Sequence, residues 1–141
     1  MTIRNAEATW NGNQREGGGV VKVGSGVFEL PFTYASRFEE APETNPEELL
    51  GAAHASCYTM ALSGALGRAG FPSKYIRTTA NVHMGRVDGK VRILKIELEC
   101  KAEAPGIRSE QFQEIAEATK TGCPISAALA AVEITLNARL V

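Results

Sequence analysis

The sequence predicts an α+β domain in which an antiparallel sheet packs against one long helix, and three observations carry this. Residues 76–84, 94–102 and 132–140 each alternate apolar and polar side chains with the period of a half-buried strand. Residues 45–70 read as one uninterrupted helix with its own start and stop signals. Turn-forming Gly and Asn break the first third of the chain into strand-length pieces. The resulting order, β-β-β-α-β-β-α-α-β, groups its strands rather than alternating them with helices, which favours an α+β arrangement over a parallel α/β one. A chain of 141 residues with no repeat, low-complexity stretch or linker suits a single domain, 1–141, with a substantial core.

Ile3 to Trp10 is the first expected strand, and Asn11-Gly12 followed by Gly17-Gly18-Gly19 supplies turn chemistry. Val20 to Val23 and Val27 to Phe32 form a hairpin around Gly24-Ser25-Gly26. The glycine triplet is no phosphate cradle, because no Gly-Lys-Thr or Gly-Lys-Ser follows and no helix starts there. Thr44-Asn45-Pro46-Glu47-Glu48 is a strong helix start, with Asn45 as N-cap, Pro46 at the first helical position and Glu48 closing a capping box. This helix runs to about Arg68, with Gly70 as its stop and Pro72 beyond. Its apolar stripe reads Leu49, Ala53, Cys57, Met60 and Gly64, which puts Cys57 inside.

Two long strands follow, joined by a turn at Val87-Asp88-Gly89-Lys90. The first turns Ile76, Thr78, Ala80, Val82 and Met84 to one face; the second turns Leu94, Ile96, Leu98, Cys100 and Ala102 inward. Ser109 caps a helix from Glu110 to about Thr121, Gly122 ends it, and Cys123-Pro124 opens a shorter one through Ala131. A last strand alternates Val132, Ile134, Leu136, Ala138 and Leu140 against polar residues.

Several function classes fall away. A net charge of −1 with no basic block lacks the footprint of a nucleic-acid binder. The apolar stretch from Leu49 to Leu66 is broken by His54, Ser56, Thr59 and Ser63 and reads as a core helix, so no membrane association is expected. With no apolar run near Met1 to act as a signal peptide, the expected location is the cytoplasm. Three cysteines make no disulfide framework, and neither they nor His54 and His83 have zinc-site spacing, so no zinc site is expected.

The cysteines themselves carry the chemistry. Cys100 sits in the apolar register of a strand, where a free thiol behaves as a small hydrophobe. On position alone Cys57 reads as a core residue, since cysteine is among the residues most often buried. Cys123, as N-cap before Pro124, would face unpaired backbone N–H groups and the positive end of a helix dipole, a setting that favours the thiolate; the equal alternative is a residue that merely terminates a loop. Arg37 could hold a thiolate or a peroxide oxygen through charge-assisted hydrogen bonds, although a surface arginine is more often simply solvated. Glu47 is left free once Glu48 serves the cap, and His54, one turn before Cys57, is more often a packing histidine than a base.

Asn45-Pro46-Glu47-Glu48-Leu49-Leu50-Gly51-Ala52-Ala53-His54-Ala55-Ser56-Cys57, together with Gly122-Cys123-Pro124-Ile125-Ser126, strongly resembles the OsmC/Ohr family of thiol-dependent peroxidases, and the likeness spans essentially the whole chain. Arg37-Phe38-Glu39 is similar to the OsmC branch, while Arg15 in the glycine-rich hairpin keeps the Ohr alternative open. Where family members often carry Ala-Cys-Phe, this chain has Ser56-Cys57-Tyr58, which would put a hydroxyl near the site. The resemblance implies an intertwined homodimer with sites at its interface. It makes Cys57 the peroxidatic nucleophile, Cys123 the resolving thiol, and Arg37 with Glu47 the pair that orients and activates Cys57. The implied substrate is an organic hydroperoxide, and the implied reductant is an external dithiol, which in family members is a lipoylated protein; the resemblance implies no metal or other cofactor, neither haem nor flavin. Glu47 and Cys57 are ten residues apart on one helix, about 15 Å along its axis, so a shared site requires a second subunit or a broken helix. Set among Leu49, Leu50, Ala53 and Met60, Cys57 would favour a hydroperoxide with a hydrocarbon body over hydrogen peroxide. The competing readings are a redox-sensing or stress-interaction protein that uses the same cysteines as a switch, and a small-ligand binder in which they only pack.

Overall fold

The structure, a computed structural model, describes residues 1–141. The chain divides into two compact units, Met1–Leu49 and Leu50–Val141.

The first unit holds an antiparallel sheet of β1 (Ala6–Asn11), β2 (Gly18–Val23) and β3 (Glu29–Phe32) in that spatial order, then α1 (Tyr34–Phe38) and the start of α2 (Pro46–Arg68). Gly19 stands opposite both Trp10 and Phe32 in the sheet register. Its missing side chain lets those two rings meet with centroids 5.4 Å apart; a Cβ on Gly19 would come within 2.6 Å of the Phe32 ring. The glycine triplet thus serves aromatic packing as well as a turn. The short helix α1 has no counterpart in the sequence reading. It is made by Thr33 as N-cap, whose hydroxyl accepts from the Ser36 N–H while the Ser36 hydroxyl accepts from the Thr33 N–H.

The second unit holds most of α2, the hairpin β4 (Tyr75–Val87) and β5 (Lys90–Glu103), the helices α3 (Ser109–Gly122) and α4 (Pro124–Ala128), and β6 (Glu133–Leu140). The β4–β5 turn has Asp88 at φ 51° and Gly89 at φ 75°, the two left-handed residues an Asp-Gly hairpin turn requires. The spatial order is β4-β5-β6. The α+β class holds, but the sheet is mixed: β6 runs parallel to β5, where an all-antiparallel sheet was expected. The connection through α3 and α4 returns the chain to its starting edge, as a parallel neighbour needs.

Tyr58, Leu62, Leu66, Ile96, Leu98 and Phe112 form the centre of the core, each at most 1% exposed. The buried stripe of α2 is therefore Gly51, His54, Tyr58, Leu62 and Leu66, one position round from the expected one, and Met60 is 78% exposed. Gly51 lets the helix approach β4 closely, since a Cβ there would lie 3.3 Å from the Ala80 carbonyl oxygen. The cap of α2 is also simpler than a full capping box. Asn45 Oδ1 accepts from the Glu48 N–H at 2.8 Å, but the Glu48 carboxylate takes the Thr44 hydroxyl instead of the Asn45 N–H.

Three other local expectations shift. A bulge lies between the His83–Lys95 and Met84–Ile93 pairs, so Leu94 is the extra residue and turns out to solvent while Ile93 turns in. The N-cap of α3 is Arg108, with no side-chain cap bond, and Ser109 is already helical. Helix α4 stops at Ala128 rather than Ala131. On the solvent face of the sheet, Arg77, Lys101 and Arg139 stand in one cross-strand row. None of these three exposed cations takes part in an ion pair.

Candidate active site

Cys57 lies mid-way along α2 and is half-buried; Cys123, fully buried, is the hinge residue between α3 and α4. Cys123 ends one helix and caps the next, with φ −66° and ψ 135°, the extended conformation an N-cap needs. Its Sγ accepts from the Ser126 N–H at 3.4 Å. Both thiols are free, and they lie close enough to perturb each other's proton affinity, with the Ile125 N–H acting on both. The fold thus brings together two cysteines far apart in sequence.

Their proton affinities diverge. Burial pushes the Cys57 thiol up, against the pull of the Ile125 N–H, and the neighbouring Cys123 adds to the rise. Burial also acts to raise Cys123, but donors from the Ser126 hydroxyl and N–H, from Cys57 and from Ile125 outweigh it and leave that thiol below its ordinary range. Cys100 is the core thiol its register predicts: burial raises it, partly offset by Thr78.

His54 has no exposed surface, and its Nε2 lies 2.7 Å from Ser126 Oγ. Burial lowers its pKa, which keeps the ring neutral at physiological pH. Tyr58 does not bring a hydroxyl to the thiols: it donates to the Ala116 carbonyl at 3.0 Å inside the core.

Arg37 and Glu47 form a second pair. Arg37 Nη2 and Nε both donate to Glu47 Oε1, at 2.8 and 3.1 Å. The geometry behind this is local. The Ser36 hydroxyl donates to the Thr44 carbonyl at 2.7 Å and Asn45 Nδ2 donates to the Ser36 carbonyl at 3.0 Å, which fastens α1 to the first turn of α2. Arg15 is elsewhere, with its guanidinium over the Tyr34 ring at 4.8 Å. Trp10, Phe32, Tyr34 and Phe38 with Arg37 line a cavity of about 400 Å³. Of the aliphatic residues expected around Cys57, Ala53 and Met60 are exposed.

Ser126 escaped the sequence reading, although one signal pointed to it. It is the third helical residue after Cys123, the position whose N–H an N-cap side chain accepts.

The family model described as OsmC-like protein matches residues 39–137. Peroxiredoxin OsmC of Escherichia coli (strain K12) is 46% identical over 142 residues, covering 99% of each chain. The chain belongs to the OsmC-like family. Peroxiredoxin OsmC of Shigella flexneri matches to the same extent. Among solved structures, an organic hydroperoxide resistance protein from Elizabethkingia anophelis superposes with a TM-score of 0.80 at 27% identity, covering 99% of each chain. The OsmC-like fold is also seen in OhrB of Bacillus subtilis, with a TM-score of 0.71 at 23% identity over 96% of this chain and 98% of that one.

Proposed function

We propose that this OsmC-like protein is a cysteine-based peroxidase that reduces organic hydroperoxides through Cys57 and Cys123. The observation that carries the reading is the pair of neighbouring free thiols, one half-buried and one capping a helix through the Ser126 N–H. The Cys57 thiolate attacks the distal peroxide oxygen; the O–O bond breaks, a proton is taken up, an alcohol leaves, and Cys57 becomes a sulfenic acid. Cys123 then displaces the sulfenic hydroxyl as water to form a Cys57–Cys123 disulfide. An external dithiol reduces that disulfide by two exchange steps, becoming a disulfide itself; a lipoylated protein is the kind of reductant the resemblance implies.

Arg37 and Glu47 act on Cys57 from a second subunit. The helix α2 is unbroken from Pro46 to Arg68, so ten residues of helix, about 15 Å, separate Glu47 from Cys57 in one chain. A guanidinium brought next to Cys57 would offset the burial that raises its thiol and favour the thiolate. In this arrangement the protein is a homodimer with two equivalent sites. The aromatic cavity beside Arg37 would take the hydrocarbon body of the substrate.

The deciding experiment is dithiol-coupled turnover of tert-butyl hydroperoxide by wild type, Cys57→Ser and Cys123→Ser. Cys57→Ser is expected to abolish turnover, and Cys123→Ser to form a sulfenic acid without the intramolecular disulfide. A fully reduced wild type that oxidises once and does not cycle would replace this reading with the redox-sensor one.

A further inference from the structure

His54 is a buried titratable group that the peroxidase chemistry leaves unused. It has no exposed surface, and its Nδ1 has no hydrogen-bond partner. A ring nitrogen orphaned in a core calls for an explanation, because buried polar atoms are normally paired. Its Nε2 meets Ser126 Oγ at 2.7 Å, and the Ser126 N–H meets Cys123 Sγ at 3.4 Å. The Ser126 hydroxyl lies near enough to the same sulfur to lower its proton affinity. His54, Ser126 and Cys123 therefore form one continuous chain of contacts, from α2 to the N-terminus of α4.

The direction of that chain follows from the orphaned nitrogen. The Ser126 hydroxyl has one proton. If it went to His54 Nε2, the ring hydrogen would sit on Nδ1, a buried donor with nothing to accept it. If it goes to the Cys123 sulfur, the Oγ must accept from Nε2–H, and Nδ1 keeps only a bare lone pair. Orphaned N–H donors are the rarer and costlier case. The order is thus His54 Nε2–H to Ser126 Oγ–H to Cys123 Sγ.

We propose that His54 and Ser126 are positioning residues for the resolving step: their directed hydrogen bonds hold Cys123 as the anion that attacks the Cys57 sulfenic acid. This rests on the reading of Cys123 as the resolving thiol. In the step, the Cys123–Cys57 S–S bond forms as the Cys57 S–O bond breaks. Cys123 sulfur is oxidised, the sulfenic sulfur is reduced, and the departing hydroxide takes up a proton to leave as water. The other titratable groups around Cys123 are Cys57 and Tyr58 on α2, the latter committed to the Ala116 carbonyl. Arg68 lines the same groove as Cys123, about 300 Å³ in volume.

The test is single-turnover oxidation of the reduced full-length protein by tert-butyl hydroperoxide between pH 5 and 9. Sulfenic acid formation and disulfide formation are timed separately. In Ser126→Ala, disulfide formation is expected to slow roughly tenfold relative to sulfenic acid formation, with its pH midpoint about one unit higher. Ser126→Thr restores the hydroxyl and should restore both. His54→Gln, whose amide can donate from near the Nε2 position, should behave like wild type, whereas His54→Leu should behave like Ser126→Ala. An unmoved pH midpoint in folded Ser126→Ala overturns the relay even if His54→Leu fails to fold, and so does His54→Gln behaving like Ser126→Ala. A wild type that forms sulfenic acid but never the Cys57–Cys123 disulfide would instead overturn the two-cysteine reading on which the relay rests.

Discussion

Tyr58 follows Cys57 directly, yet its hydroxyl ends in the core on the Ala116 carbonyl. A helix turns about 100° per residue, so adjacency in sequence is the wrong guide to adjacency at a site, and His54, one turn away, is the residue that meets Ser126, the partner of Cys123. The burial of Tyr58 has a pH consequence. Desolvation, with smaller contributions from Cys100, Glu117 and Cys123, pushes the phenol above its ordinary value. A group raised on folding contributes stability that is complete below its unfolded pKa, about 10, and is lost as pH climbs towards the folded value. Urea unfolding of the wild type is therefore expected to weaken above about pH 10. Tyr58→Phe should cost about 1 kcal/mol at pH 7 for the lost hydrogen bond and weaken less steeply at alkaline pH. Equal alkaline slopes in the two proteins would count against this account. The roles proposed for Cys57 and Cys123 were legible in their sequence contexts. Ser126 was harder to see, because its one signal is its place three residues after the N-cap of a five-residue helix.

At the scale of elements, the clearest readings were those with a local physical cause. The ends of α2 follow from Asn45, Pro46 and Gly70, whose signals do not depend on the rest of the fold. The Asp88-Gly89 turn is equally local. The buried face of α2 was less legible, since Ala and Gly at most positions blur the stripe and His54 hides a buried position behind a polar type. In β5 the alternation from Leu94 onward is real, but the bulge before Lys95 breaks its phase, and periodicity cannot see a residue that opposes nothing. The direction of β6 was beyond reach because a strand alternates identically whichever way it runs. Helix α1 was missed for its shortness, although Thr33 and Ser36 already spell out its cap.

At the scale of the molecule, only the resemblance suggested pairing Arg37 with Glu47; their hydrogen bonds follow from how α1 and α2 are tied together. The proposed sharing of sites between subunits has a direct test. Arg37→Met and Cys57→Ser homodimers are both expected to be inactive. Unfolded together and refolded, they should yield heterodimers in which one site has both an intact Arg37 and an intact Cys57, giving about half the turnover of a wild-type dimer. No recovered activity would mean that each site draws both residues from one chain. A different consequence follows from the row of Arg77, Lys101 and Arg139 on the sheet's solvent face. Like charges directly opposed across strands repel, and dissolved ions shorten that repulsion from a range of about 30 Å at 0.01 M salt to about 8 Å at 0.15 M. Lys101→Gln should therefore melt at a higher temperature than wild type in dilute buffer, with the gap closing as salt is added; a gap indifferent to salt would dismiss the repulsion. By this account the sheet is steadier in concentrated electrolyte than in dilute solution, so the folded state itself is tuned to ionic strength.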